Sequence, residues 1–247
     1  MVAQVPGLID WHCHLLPGID DGPATVDEAI EMAKYLAKAG YNTVYCTPHL
    51  IKGSYEADND AVRAALNALQ AELKNQQTEL KLFSGREYYL DEFLPSFLKN
   101  PIPLGETSFL MLEIPDHIPQ KYVREICYRI KASGYIPMIA HPERWAHLEP
   151  SKQKQVTGIS KRWNAFSSKL RRSNLKEYSE GFSLLNYLRD IGCVFQGNTG
   201  SFTGLYGEKI MTNAVWLKRQ EIYTHYGTDL HAAVGGNADP SRHALPT

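Results

Sequence analysis

The chain has 247 residues, 43% of them hydrophobic and 21% charged, with 26 Lys and Arg against 27 Asp and Glu. Those fractions belong to a globular protein long enough to bury a substantial core, and they exclude disordered, collagen-like and low-complexity chains. A net charge of −1 gives the whole molecule no reason to bind nucleic acid or a membrane surface.

Four cysteines (Cys13, Cys46, Cys127 and Cys193) form no CxxC pair and are too few for a disulfide scaffold at this size. The opening Met-Val-Ala-Gln-Val-Pro-Gly lacks the basic region and apolar run of a signal peptide. No run of about 18 apolar residues marks a membrane span. The expectation is a cytoplasmic protein.

A first strand is expected at Leu8–His14, closing on Asp10-Trp-His12-Cys-His14. Alternate residues of a strand share a face, so Asp10, His12 and His14 should point together and Cys13 away. Glu28–Ala39 follows as an amphipathic helix, with Ala29, Met32, Ala33, Leu36 and Ala37 on one stripe and Gly40 as its stop. The second strand, Thr43–Thr47, runs out at Thr47-Pro-His49. Helical period returns over Ala57–Gln76, through Ala61, Ala65, Leu66, Leu69 and Leu73.

Strands at Leu80–Glu87 and Phe109–Ile114 finish in Glu87 and Glu113, and a helix is expected over Gln120–Ser133. The strand Ile136–His141 runs into Ala-His141-Pro-Glu-Arg144. Helices at Phe182–Ile191 and Tyr206–Arg219 alternate with strands at Cys193–Gly197 and Glu221–Gly227, the last leading into Thr-Asp229-Leu-His231.

Strands alternating with helices argue for parallel βαβ units, which close into a barrel or open into a doubly wound sheet. Six of the seven strands finish in His, Asp or Glu. A barrel opens all its strand ends onto one face, whereas a doubly wound sheet gathers only those at its switch point. The barrel is therefore expected. One His or Glu at a strand end is ordinarily a capping or surface residue; six together point to a polynuclear metal site. Mixed imidazole and carboxylate donors suit Zn, Mn or Fe rather than Ca.

The motifs Asp-x-His12-x-His14, Leu-Pro-Gly-Ile-Asp-Asp21-Gly-Pro, Thr-Pro-His49, Gly-x-Glu87, Leu-Glu113, Ala-His141-Pro-Glu-Arg144 and Thr-Asp229-x-His231 resemble the PHP (polymerase and histidinol phosphatase) superfamily. Within it they are most similar to the bacterial manganese-dependent tyrosine phosphatases that control capsule and exopolysaccharide kinases. The resemblance implies a single-domain distorted (β/α)7 TIM-like barrel, with its active site at the C-terminal ends of the strands. It implies up to three ions, manganese first, with Fe, Zn or Mg as alternatives. His12, His14, Glu87 and Asp229 would hold the first; Glu87 would bridge to a second held with Glu113 and His141. Asp21, His49 and His231 would hold the third, Asp21 matching better than Asp20.

Arg144 would be the catalytic phosphate clamp, since guanidinium grips phosphate bidentately. The implied substrate is phosphotyrosine on protein, a bacterial tyrosine kinase being the natural partner. A small phosphomonoester such as histidinol phosphate, a nucleic-acid end and a non-catalytic scaffold are the competing readings. A thiol mechanism of the Cys-x5-Arg kind is excluded: Ile19, Lys52, Ser133 and Thr199 stand six places after the cysteines.

Two stretches depart from the pattern. Residues 150–181 read as an insertion: Ser151–Lys176 holds Lys152, Lys154, Lys161, Arg162, Lys169, Arg171, Arg172 and Lys176 and no acidic residue. Val156, Ile159, Trp163, Phe166 and Leu170 give it the spacing of a basic amphipathic helix, either a solvated outer helix or a dock for an acidic partner or anionic membrane. After His231 the composition is that of turns, with Arg242 the one basic residue. Here the family usually continues with a basic residue and a closing helix, so the barrel is expected to close imperfectly.

Overall fold

Every strand pairing between the named strands is parallel, and helices separate most successive strands. A computed structural model describes residues 7–146, 148 and 180–232. The basic segment and most of the stretch after His231 therefore lie outside the described residues.

In chain order the elements are β1 (Leu8–Cys13), α1 (Val26–Lys38), β2 (Tyr41–Cys46), β3 (His49–Leu50) and α2 (Asn59–Asn75). Next come β4 (Lys81–Ser84), β5 (Glu87–Tyr89), α3 (Leu94–Phe97), β6 (Phe109–Glu113) and α4 (Gln120–Ala132). Then follow β7 (Ile136–Ala140), a 3-10 turn (Pro142–Arg144), α5 (Glu180–Asp190), β8 (Val194–Asn198), α6 (Thr199–Phe202), α7 (Glu208–Arg219) and β9 (His225–Gly227).

The strands form a three-stranded sheet, β1-β2-β4, and a six-stranded one, β3-β5-β6-β7-β8-β9. Past the expected end of the second strand the chain crosses at Thr47-Pro48 to a separate β3 in the other sheet, and the expected strand Leu80–Glu87 is divided at Gly85-Arg86 into β4 and β5. Proline lacks the N–H that a continuous ladder needs, and Pro48 contributes only its carbonyl, which accepts from Glu87 N at 3.1 Å. The result is a curled parallel α/β half-barrel.

The outer edges of the two sheets approach through β9 and β1: Asp229 N donates to His12 O at 2.7 Å, and His14 N to Leu230 O at 3.0 Å. Gly227 makes that approach possible. A Cβ there would stand 2.6 Å from His12 N and 2.6 Å from its Cβ. Gly227→Ala is thus expected to destabilise the fold by about 1–3 kcal/mol, as overpacking does; urea unfolding at constant m-value measures it.

Helix ends follow local chemistry. Helix α1 begins earlier than its apolar stripe suggests because Thr25 and Glu28 form a reciprocal capping box. Asp58 caps α2 by accepting from Ala61 N at 2.8 Å. The strand expected from Glu221 starts only at His225, because Glu221 (φ 54) belongs to the left-handed turn that ends α7.

Helices α1 and α2 bury Met32, Leu36, Val62 and Leu69 in one core with Val44 and Leu82 of β2 and β4. Helices α4 and α5 cover β6 to β8 with Val123, Ile126, Leu185 and Leu188. All four cysteines are free and buried, Cys13 among them in the α1–α2 core.

Candidate metal centre

The nine expected ligands come together from β1 and the loop after it (His12, His14, Asp21), the first residues of β3 and β5 (His49, Glu87), the end of β6 (Glu113) and the residues just past β7 and β9 (His141, Asp229, His231). His12 Nε2 lies 3.1 Å from Glu87 Oε2, 3.3 Å from Asp229 Oδ1 and 3.1 Å from His14 Nε2. His14 Nε2 lies 3.2 Å from each of the same two oxygens. These five spacings are those that the edges of a tetrahedron around one ion would have, and all four donor atoms lie within 4.8 Å of one another. An ion about 2.0 Å from each of four ligands spaces them by about 3.3 Å.

Two flanking groups adjoin it. His14, Asp21, His49 and His231 offer donor atoms within 4.8 Å of one another, as do His49, Glu87 and Glu113. Asp21 Oδ1 stands 3.4 Å from His231 Nε2 and 3.8 Å from His49 Nε2. His141 meets Glu87 as expected, Nε2 to Oε1 at 3.0 Å. The tighter group on that side, however, includes His49 Nδ1, 3.2 Å from Glu87 Oε2 and 3.9 Å from Glu113 Oε2.

Buried hydrogen bonds aim these rings. Gln196 Oε1 accepts from His12 Nδ1 at 2.9 Å, while its own amide donates to Gly197 O. Asp20 Oδ2 accepts from His14 Nδ1 at 2.6 Å and from His49 N at 2.8 Å. With both Nδ1 atoms donating, the two Nε2 lone pairs face the same point 3.1 Å apart. Lone pairs so placed need a cation or a proton between them, so the donor set fits a metal.

The electrostatics agree. Burial opposes charge on His12, yet Glu87 and Asp229 outweigh it and push its pKa up to about 9. His14 is raised likewise against burial, first by its bond to Asp20. Burial also disfavours charge on Glu87 and Asp229, but the histidines, His12 foremost, hold both carboxyls well below their usual range. Burial, reinforced by the charge of Glu87, pushes Glu113 up to about 7.

Asp10 does not join the cluster, although strand alternation groups it with His12 and His14. Its carboxylate accepts from Thr228 N at 2.9 Å, Thr228 Oγ1 at 2.6 Å and His12 N at 3.1 Å, fastening β9 to β1. The β1/β2 register slips between Asp10 and Cys13, which breaks simple alternation.

Arg144 reaches the site from the 3-10 turn: Nη2 lies 2.7 Å from Asp229 Oδ2, and its buried Nε has no acceptor. Next to it, Glu143 is wholly buried and accepts from Asn198 N, Ser201 Oγ and Tyr223 OH at 2.8, 2.9 and 2.8 Å. In the sequence Asp20 appears only as a weaker match than Asp21, and Asn198 only within the polar run Gln196–Gly204, which resembles the family's sixth-strand loop bordering the pocket. The capping-type run Asp20-Asp21-Gly-Pro is a usable signal for the first; nothing local marks Glu143. Asp20→Asn is expected to weaken metal binding by about 10–100-fold with the fold intact. Competition against a chromogenic chelator would check this, and unchanged affinity would reduce Asp20 to a loop-shaping residue.

Residues 8–165 match the family described as "Capsular polysaccharide synthesis, CpsB/CapC". The chain belongs to this family. It is 29% identical over 227 residues to tyrosine-protein phosphatase YwqE of Bacillus subtilis, covering 91% of this chain and 77% of that protein. It is 32% identical over 139 residues to the putative tyrosine-protein phosphatase CapC of Staphylococcus aureus, 56% of this chain and 54% of that one.

Among solved structures, one described with YwqE and Streptococcus pneumoniae CpsB as metal-dependent tyrosine phosphatases superposes with TM-score 0.74 at 27% identity, over 96% of this chain and 85% of that one. A histidinol phosphate phosphatase from Lactococcus lactis shares the fold at TM-score 0.52 and 17% identity, over 95% and 89%. No helix among the described residues is long and apolar enough to cross a membrane.

Proposed function

We propose that this chain is a metal-dependent protein-tyrosine phosphatase whose substrate is a phosphotyrosine-bearing bacterial kinase of capsule or exopolysaccharide synthesis. It acts in the cytoplasm as one domain, a distorted (β/α)7 barrel joined along β9 and β1. The observation that carries the reading is the buried group of His12, His14, Glu87 and Asp229 donor atoms, in which each imidazole nitrogen lies 3.1–3.3 Å from the other and from both carboxylate oxygens.

His12, His14, Glu87 and Asp229 would hold one ion. Glu87 would share its second oxygen with a site completed by Glu113 and His141, and Asp21, His49 and His231 would form the third. Mn2+ suits these hard carboxylates and borderline imidazoles. Bound there, such ions supply Lewis-acid neutralisation of the phosphate and an activated water at neutral pH.

The chain's own residues do the rest. Glu87 and Asp229 hold charge deep in the fold, Gln196 and Asp20 fix which nitrogen each ring presents, and Arg144 offers its guanidinium to phosphate oxygens. Tyr55, whose ring lies nearly parallel to His49 with centroids 5.9 Å apart, would offer an aromatic face beside the ligands to the substrate ring. Thiol chemistry has no candidate: burial raises the pKa of Cys13 and Cys46, and a bond to Cys193, then burial, raises that of Cys127.

The test is hydrolysis of a phosphotyrosyl peptide by metal-loaded protein, beside phosphoseryl peptide and histidinol phosphate, with and without chelator. Chelator-sensitive turnover selective for the phosphotyrosyl peptide is expected. Preference for histidinol phosphate would overturn the substrate, and a fully loaded but inert protein would leave a binding scaffold.

A further inference from the structure

Arg144 has a long, rotamer-rich side chain that is 27% exposed, and its nearest charge is Asp229, which the site needs for other work. Left to itself, such an arginine would collapse onto the carboxylate or swing into solvent. The structure supplies a third surface. The ring of Tyr206 lies beneath the guanidinium, 4.1 Å from its centroid to Arg144 Cζ. An aromatic face is the negative part of the ring's quadrupole and attracts a cation placed over it.

The ring is itself held. Tyr206 Cε2 would stand only 3.1 Å from a Cβ at Gly200, and the loop is tied back by Leu205 N donating to Gly200 O at 3.1 Å. The same loop is fixed to the backbone beside the arginine, because Glu143 accepts from Asn198 N and Ser201 Oγ. Asn198 Nδ2 also donates to Asp229 Oδ2 at 3.0 Å, so this oxygen divides its charge between the amide and the guanidinium.

Arg144 is thus clamped at its root by the Glu143 bonds, along one edge by Asp229 and across one face by Tyr206. Its buried Nε, which has no acceptor, remains for a ligand oxygen.

We propose that Tyr206 is a positioning residue of the phosphate-binding arm, its ring face fixing the plane of the Arg144 guanidinium about its contact with Asp229 so that the remaining edge is presented to the phosphate. The inference deepens the phosphatase reading and rests on it. Pre-organising the arginine lowers the ordering needed when phosphate binds, so its loss should appear mainly in substrate affinity.

Two variants separate ring from hydroxyl: Tyr206→Phe keeps the face and Tyr206→Leu removes it. Phenylglyoxal labelling of Arg144 in the metal-free protein, followed by mass spectrometry of the peptide that contains it, reads the clamp without reference to activity. For Tyr206→Leu we expect labelling about tenfold faster, KM for a phosphotyrosyl peptide about tenfold higher, kcat within about threefold and unchanged metal content. Tyr206→Phe, which keeps the face but loses the hydroxyl's bonds to Asn198 and Arg144, should stay within about threefold of the parent in all four.

Equal labelling rates in parent and Leu variant would overturn the proposal, as would a Phe variant impaired like Leu, which would assign the role to the hydroxyl. If the Leu variant fails to fold, pentafluorophenylalanine at position 206 keeps the shape while removing the negative face. Faster labelling there supports the clamp and an unchanged rate overturns it. Should the parent protein hydrolyse no phosphotyrosine at all, the functional reading falls while the labelling comparison still decides the clamp.

Discussion

Glu87→Gln should cost on the order of 10³-fold in phosphatase activity and remove most of the bound metal. Glu87 Oε2 faces His12, His14 and His49 at 3.1, 3.2 and 3.2 Å, and Oε1 faces His141 at 3.0 Å. One carboxylate therefore supplies negative charge to every part of the cluster. An amide keeps the shape and one acceptor oxygen but turns an NH2 toward a ring nitrogen or a cation. Losing several kcal/mol of charge stabilisation corresponds to about three powers of ten in rate. Steady-state kinetics and elemental analysis of the same preparation check both halves. Full metal occupancy with normal turnover in Glu87→Gln would move the reaction away from this cluster.

Metal affinity should rise with pH from about 6 to 9, with at least one proton released per first cation bound at pH 7. In the metal-free protein His12 stands at about 9 and Glu113 at about 7. A cation must expel the His12 proton, so affinity falls as pH falls below 9. Titration calorimetry in two buffers of different ionisation enthalpy counts the protons, and a count of zero would contradict the arrangement.

Stability moves the opposite way without metal. His12 is raised from 6.5, so its contribution is full below about 6.5 and lost as pH climbs through 9. Glu113 is raised from 4.5, so protonation favours the fold at low pH and that gain disappears through about 7. Melting temperatures of chelated and loaded protein should therefore diverge as pH rises from about 5 to 9.

Much of this centre was legible because its donors sit at the ends of strands. Glu113 and His141 each follow a short apolar run, and the periodicity that marks the run also places its end, while His12, Glu87 and Asp229 stand in or beside strands of mixed composition. Of what surrounds them, the polar run Gln196–Gly204 was legible as a pocket-bordering loop by resemblance alone, but the partners of its side chains were not. Gln196 meets His12 across 184 positions, and Glu143 meets Asn198 across 55, so no local pattern connects them. Asp10 failed for the reverse reason. It obeys the alternation that picked out His12 and His14, but a register slip turns its carboxylate to Thr228.

The fold showed the same division. Helix stripes located α1, α2 and α4 within a few residues, whereas the two-residue β3 is too short to mark itself after Pro48 and Leu80–Glu87 reads as one strand across Gly85-Arg86. The half-barrel follows from these two breaks, at Pro48 and Gly85.

The contact of β9 with β1 has a consequence for how the protein matures. Asp229 and His231 are delivered by the last described strand, and the backbone bonds that place them run to His12 and His14 near the start of the chain. During synthesis from the N-terminus, the early ligands emerge far ahead of these two. On the proposed ligand set, a growing chain gathers His12, His14 and Glu87 first and completes the cage only when β9 has met β1. Ion capture becomes a readout of finished folding, and a chain stalled before that point carries no competent centre.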